Sequence, residues 1–185
     1  MSIHSWASSS KKLTSSFSAV SSLPALEIGE LTNGLAERDG VWVDKEGNVH
    51  VANVSTNVVE FRKGGSSPDC TYTGATDPIN VTTDAKGNVY IADLLGGFVD
   101  EYTQCSNTIE KQFPADDAQG VAVDKSGDLF VSYGGSSLEE FKCGSTTGTP
   151  LDASVGEGSR YLLTVAPNGS ETLIVAVGEP PAGYL

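Results

Sequence analysis

Three cysteines in 185 residues, Cys70, Cys105 and Cys143, are too few and too odd in number for a disulfide framework. No Cys-x-x-Cys pair occurs, so a local zinc motif is not indicated. The thiols read as reduced and half-buried; a single bridge, if one forms, is expected between Cys105 and Cys143. Basic residues are scarce as well: 11 Lys and Arg stand against 24 Asp and Glu, a net charge of −13. Such a surface repels phosphate, which argues against nonspecific nucleic-acid binding. Nowhere do eighteen apolar residues follow one another, so no segment reads as a membrane-spanning helix. Only two histidines are present, His4 and His50, and Gly-x-Ser-x-Gly is missing, which leaves a Ser-His-Asp triad without its parts. Amphipathic stretches of roughly 10–15 residues are lacking between the apolar runs, and with them any parallel βαβ organisation.

Residues 1–12 open a Ser-rich leader; ten of the first 22 residues are Ser. It has no apolar core of the roughly 7–15 residues that a signal peptide needs. The expectation is therefore either an export signal removed before this numbering, with an extracytoplasmic location, or a protein that stays inside. Asn53-Val-Ser, Asn80-Val-Thr and Asn168-Gly-Ser match the glycosylation triplet, a pattern that Ser/Thr-rich chains also produce by chance.

What the chain has is repetition. Asp39-Gly-Val-Trp-Val-Asp-Lys-Glu-Gly-Asn-Val-His-Val-Ala-Asn53 aligns without gaps on Ile79–Asp93 and on Gln119–Tyr133, and a fainter copy runs from Tyr161 to Val177. The turn glycines Gly47, Gly87, Gly127 and Gly169 are separated by 40, 40 and 42 residues. Each unit reads as a meander. An alternating strand meets an Asp-x-x-Gly turn, where glycine supplies positive φ and aspartate accepts from turn amides, and a second alternating strand follows. Val59-Glu-Phe61, Asp100-Glu-Tyr102 and Glu139-Glu-Phe141 supply a third strand; Asp69–Thr73 and Asn107–Phe113 read as a weaker fourth. Four strands in about forty residues is the size of one propeller blade.

The run Gln119-Gly-Val-Ala-Val-Asp-x-x-Gly-x-Leu-Phe-Val resembles the NHL repeat of β-propellers, and gluconolactonase-like and amidating-lyase propellers carry similar repeats. The resemblance spans roughly residues 35–180 and concerns the residues that build blades. The expected fold is all-β: a β-propeller of about four blades of four-stranded antiparallel meanders in residues 13–185. Repeats fall near 36–75, 76–115, 116–157 and 158–185, the last completed by residues 13–34, which would close the ring without an open sheet edge. The competing readings are part of a six-bladed ring, or a small homo-oligomer that joins into one.

In such a meander the loops before strand one and after strand two share a rim. That rim carries Asp39, Asn80, Gln119 and Arg160, then Asn53, Asp93 and Tyr133, with Asp77, Asp116 and Asp117 nearby. Asp39, Asn53, Asn80 and Asp93 are the candidate ligands for a divalent cation, Ca²⁺ or a transition metal, because they offer oxygen donors on one face. The gluconolactonase-like resemblance implies a central metal with such ligands. Asp44, Asp84 and Asp124 recur three residues before the turn glycine and read as structural. His50 stands where neighbouring repeats have Tyr90 and Phe130, so it reads as an aromatic between blades, with a metal ligand as the alternative. Trp42 reads as packing more than as a channel plug. The function expected is a non-enzymatic binding module for a small molecule, a divalent cation or a protein. The alternatives are a metal-dependent hydrolase of lactones or esters and a purely structural platform for other proteins.

Overall fold

The computed structural model describes residues 31–54, 56–134 and 137–151, and the backbone of residues 160–165 and 173–178. Among them there is no helix. Blade one comprises β1 (Arg38–Val43), β2 (Val49–Asn53), β3 (Asn57–Phe61) and β4 (Cys70–Tyr72). Blade two comprises β5 (Pro78–Thr83), β6 (Val89–Asp93), β7 (Phe98–Tyr102) and β8 (Ile109–Pro114). Blade three comprises β9 (Ala118–Val123), β10 (Leu129–Tyr133), β11 (Ser137–Phe141) and β12 (Gly148–Pro150). Each is a four-stranded antiparallel sheet in chain order, and β13 (Arg160–Val165) pairs with β14 (Leu173–Gly178) in a two-stranded one.

The turns between first and second strands explain why these segments pair as they do. Asp44 Oδ1 accepts from the amides of Glu46 (3.0 Å) and Asn48 (2.8 Å). Asp84 does the same for Lys86 and Asn88, and Asp124 for Ser126 and Asp128. Gly47, Gly87 and Gly127 sit at φ +87°, +89° and +86°, a conformation that disfavours any residue with a Cβ. These aspartates are thus structural, as their fixed spacing predicts.

The second strands are covered on both faces, so they are largely apolar, and the polar residues they carry (His50, Asn53, Asp93 and Ser132) are buried. Ala52, Val58, Tyr72, Val81, Ile91 and Tyr102 pack blade one on blade two. Ile79, Tyr90, Val99, Phe113, Leu129 and Phe141 pack blade two on blade three. Fully burying an aliphatic or aromatic side chain of this size contributes roughly 1.5–3 kcal/mol. Trp42 belongs to the first interface, and its Nε1–H donates to Thr83 Oγ1 at 2.9 Å, so it packs between blades. At Gly40 the first strands approach so closely that a Cβ would lie 2.7 Å from Asn80 Cα and from the Ile79 carbonyl oxygen.

The first strands follow one another as β1, β5, β9 and β13, each packed on the next. Among the described residues no packed seam joins β13 back to β1; the arrangement is an open arc, and Val41 and Val43 on β1 are 60% and 56% exposed. The expected completion by residues 13–34 lies mostly outside the described residues. Its described end, residues 31–34, forms no strand, and Leu31 packs with Leu35 against Val51, Val59 and Phe61 of blade one.

The cysteine expectation is corrected. The bridge joins Cys70 to Cys105, with a Cα separation of 5.1 Å, and Cys143 is an exposed thiol. Cys70 opens β4 and Cys105 sits in the turn between β7 and β8, so blade packing brings together residues 35 apart in sequence. Cys143 instead lies beside the Asp-x-x-Gly turn of its own blade, against Gly127.

Candidate functional site

The rim expected from the repeat is present, and its loops are latched. Backbone amides after the second strands donate to carbonyls before the first: Val54 to Glu37 (2.6 Å), Leu94 to Asp77 (3.0 Å) and Gly134 to Asp117 (3.2 Å). The acceptors are one repeat apart. Side chains reinforce the latch in blades one and two. Asn53 Oδ1 accepts from the Ala36 amide at 2.9 Å, while its Nδ2 donates to the Gly34 carbonyl and to Asn57 Oδ1. Asp93, 3% exposed, accepts from the amides of Thr76 (2.7 Å), Asp77 (2.8 Å) and Gly96 (3.0 Å). Asn80 is half-buried and its Oδ1 accepts from the Val81 amide, whereas Asp39 is exposed. Of the four expected cation ligands, then, Asn53, Asn80 and Asp93 already hold backbone partners.

Blade three departs from this pattern. Tyr133 replaces the anchoring Asn53 or Asp93. Asp117 adopts φ +62°, a left-handed conformation that costs a non-glycine residue roughly 1 kcal/mol. Gln119 Nε2 donates to Asp117 Oδ2 at 3.3 Å, and its Oε1 is buried with no hydrogen-bond partner. Asp116 is exposed beside Gly97, and Leu95 in the preceding loop is 71% exposed. Burial pushes the half-buried Tyr133 hydroxyl above its ordinary range, with Glu139 adding to the effect. This rim segment thus holds one of the two left-handed non-glycine residues and one of the two unpartnered buried polar atoms among the described residues, the others being Cys105 and His50 Nδ1.

The opposite face carries the Asp-x-x-Gly turns. Between blades two and three it holds a cleft of about 240 Å³ lined by Asp84, Tyr90, Glu101, Lys111, Phe113 and Lys142, among others. Two of its lysines are paired: Lys111 Nζ lies 3.0 Å from Glu101, and Lys142 Nζ lies 2.9 Å from Asp128 and 2.8 Å from Glu140. Glu140 and Asp128 hold the Lys142 ammonium well above its ordinary range, and Lys142 with the Cys143 amide holds Asp128 below its own.

The junction of blades one and two has different chemistry. His50, Glu60 and Asp44 converge there, their side chains 1%, 1% and 4% exposed. His50 Nε2 is 3.4 Å from Asp44 Oδ2, Tyr72 Oη donates to Glu60 Oε2 at 2.6 Å, and Gln104 Nε2 donates to Glu60 Oε1 at 3.1 Å. Burial acts to raise the Asp44 carboxyl, but hydrogen bonds from Asn48 and His50 outweigh it and hold the group below its ordinary range. His50 thus occupies the interblade place expected of it, 6.5 Å from the Tyr72 ring, in polar company. Sequence reasoning missed Glu60 because Glu101 and Glu140 share its column. Its one available signal was His50 itself, an imidazole in an aromatic column.

No family model and no curated protein sequence matches the chain. Solved structures do. It is similar to hydrazine synthase of Kuenenia stuttgartiensis at TM-score 0.67 and 13% identity, covering 86% of this chain and 47% of that one. It is similar to a putative gluconolactonase at TM-score 0.62 and 16% identity, covering 76% and 57%. It is similar to virginiamycin B lyase of Staphylococcus aureus at TM-score 0.58 and 13% identity, covering 80% and 57%. The chain spans about half the length of these proteins. At such identities the likeness is one of fold, and the fold is that of a β-propeller.

Proposed function

We propose that the chain is a non-enzymatic binding module whose acidic rim takes a divalent cation or a small ligand that presents hydrogen-bond donors. The observation that supports this reading is the break in the repeat at the blade-three rim. The four strands, the Asp-x-x-Gly turn and the backbone latch recur in blade three, yet the latch side chain is lost, Asp117 is strained and Gln119 Oε1 has no donor. Strained backbone and unsatisfied buried acceptors persist where a ligand completes the site. Asp116, Asp117 and Gln119 offer oxygen donors, which suit a hard cation such as Ca²⁺. Asp39 and Asn80 extend the same rim across blades one and two, with Asn53 and Asp93 holding the loops behind them.

Calorimetric titration of the full chain with Ca²⁺, Mg²⁺, Mn²⁺, Ni²⁺ and Co²⁺ tests the reading. One cation is expected to bind with 1:1 stoichiometry. Gln119→Ala and Asp117→Gly, the latter compatible with the left-handed backbone, are each expected to lower its affinity at least about tenfold. Asp39→Ala reports whether the ligand reaches across the rim. Affinity unchanged in both blade-three variants overturns the assignment. The hydrolase reading is favoured only by the fold likeness to a putative gluconolactonase. Turnover of lactones or esters above a metal-only blank would move the chain to that class.

A further inference from the structure

Each described blade sets a glutamate at the fourth residue of its third strand: Glu60, Glu101 and Glu140. In blade two its directly paired neighbours are Tyr90 and Lys111, and Lys111 neutralises it at 3.0 Å. In blade three they are Phe130 and Thr149, and Lys142 lies 2.8 Å away. Blade one keeps the glutamate and buries it more deeply, and its paired neighbours are His50 and Cys70. Among the described residues no Lys or Arg forms an ion pair with Glu60. A row of three cross-strand neighbours thus becomes His, Glu and Cys, three metal-ligating types, only here.

The imidazole shows what the row lacks. In the tautomer whose Nε2–H donates to Asp44 Oδ2, Nδ1 presents a lone pair toward Glu60 Oε2 across 4.0 Å. That nitrogen has no hydrogen-bond partner, and the side chain is 1% exposed. Two Lewis bases face each other over a gap too long for a hydrogen bond. Zinc bonds to nitrogen and oxygen of about 2.0–2.2 Å place tetrahedral ligands about 3.4 Å apart, so this pair needs to close by about 0.6 Å to share an ion. Asp44 is then the outer carboxylate that fixes the histidine tautomer, the usual partner of a metal-bound imidazole. Glu60 is the residue shared by two clusters, Asp44–His50–Glu60 and Glu60–Cys70–Cys105, in each of which the ligand atoms lie within 4.8 Å of one another, so a common ion requires the imidazole and the sulfurs to draw in on Glu60.

We propose that His50 Nδ1, Glu60, Cys70 and Cys105 form a zinc site between blades one and two, buried at His50, Glu60 and Cys70 and open to solvent at Cys105, filled only when the Cys70–Cys105 disulfide is reduced. Reduction takes two electrons and two protons from a dithiol, which closes to its own disulfide, and leaves two thiols. Zinc binding then displaces both thiol protons to solvent and gives two thiolate–metal bonds. Reoxidation removes both sulfur ligands and releases the ion. The site is separate from the blade-three rim.

The test uses the full chain, oxidised and after reduction by a water-soluble phosphine, titrated with Zn²⁺ against a chromophoric chelator and with Co²⁺ by absorption. The reduced chain is expected to bind one Zn²⁺ at least a hundredfold more tightly than the oxidised chain. Its Co²⁺ form is expected to show thiolate charge-transfer and tetrahedral bands. Cys70→Ser with Cys105→Ser removes those bands; His50→Phe, which places the blade-three residue in blade one, and Glu60→Gln each weaken binding at least tenfold. Cys143→Ser leaves binding unchanged. If the reduced apo chain loses its β-sheet circular dichroism, Zn²⁺ must restore it, and failure to do so overturns the proposal. So does equal affinity in both redox states, or retained affinity in both His50→Phe and Glu60→Gln.

Discussion

Replacing Asp93 by alanine tests whether this rim aspartate holds the fold. Its carboxylate is 3% exposed and accepts three backbone amides, those of Thr76, Asp77 and Gly96. A buried donor left without a partner costs about 1–3 kcal/mol. The Asp77 residue is buried and bears that cost in full, while the half-buried and exposed rim amides recover part of theirs from water. Asp93→Ala is therefore expected to lower stability by about 3 kcal/mol, a large share of the roughly 5–15 kcal/mol typical of a folded domain. With a urea slope of about 1–3 kcal/mol/M, the midpoint falls by 1 M or more. Asp93→Asn retains one acceptor oxygen, the device blade one already uses in Asn53, and is expected to cost about 1 kcal/mol. Urea unfolding followed by tryptophan fluorescence gives both values, and hydrogen exchange is expected to show protection lost first at the amides of residues 76, 77 and 96. A midpoint for Asp93→Ala within about 0.2 M of wild type refutes the latch reasoning.

Three further outcomes follow from the interblade contacts. Burial and the Asp93 charge outweigh the Gln112 hydrogen bond and raise the Asp100 carboxyl above its ordinary 3.8, so its ionisation destabilises the fold at neutral pH. That penalty fades as pH falls toward 3.8. Asp100→Asn is expected to raise the unfolding midpoint at pH 7 and converge with wild type in acid, and a lower midpoint at pH 7 counts against it. Opening the Cys70–Cys105 bridge, which closes a loop of 35 residues, is expected to cost about 3–4 kcal/mol with chelator present; alkylation of the unreduced chain should label Cys143 alone, and labelling of all three cysteines excludes the bridge. Gly40→Ala drives a Cβ to 2.7 Å from backbone atoms of β5 and is expected to cost about 1–3 kcal/mol, whereas an unchanged midpoint would show that the strands are farther apart.

Much of this architecture is legible in the chain because its determinants are local. The Asp-x-x-Gly turn closes within five residues, and Asp44, Asp84 and Asp124 make the same bonds in each copy. The rim positions were legible for the same reason, since a meander returns to one face every second strand. The duties of Asn53 and Asp93 were not. An oxygen on a rim reads alike whether it faces a ligand or a neighbouring amide, and only the path of the loop distinguishes the two. The break at Tyr133 was visible as a difference between repeats, without the strain at Asp117 or the orphaned carbonyl of Gln119 that give it meaning.

By itself the sequence determined the period, the strands and the turns, because alternation, glycine and aspartate act over a few bonds and repeat every forty residues or so. Only the tertiary structure decided what meets what. Register across three strands aligned His50, Glu60 and Cys70, and the packing of one sheet on the next brought Cys105 to Cys70 while Cys143 stayed with its own turn. Those partners lie 10 to 35 residues apart, and nothing local specifies their meeting. It follows from burying the apolar faces of whole sheets against each other, a demand that acts on sheets and leaves individual contacts as its consequence.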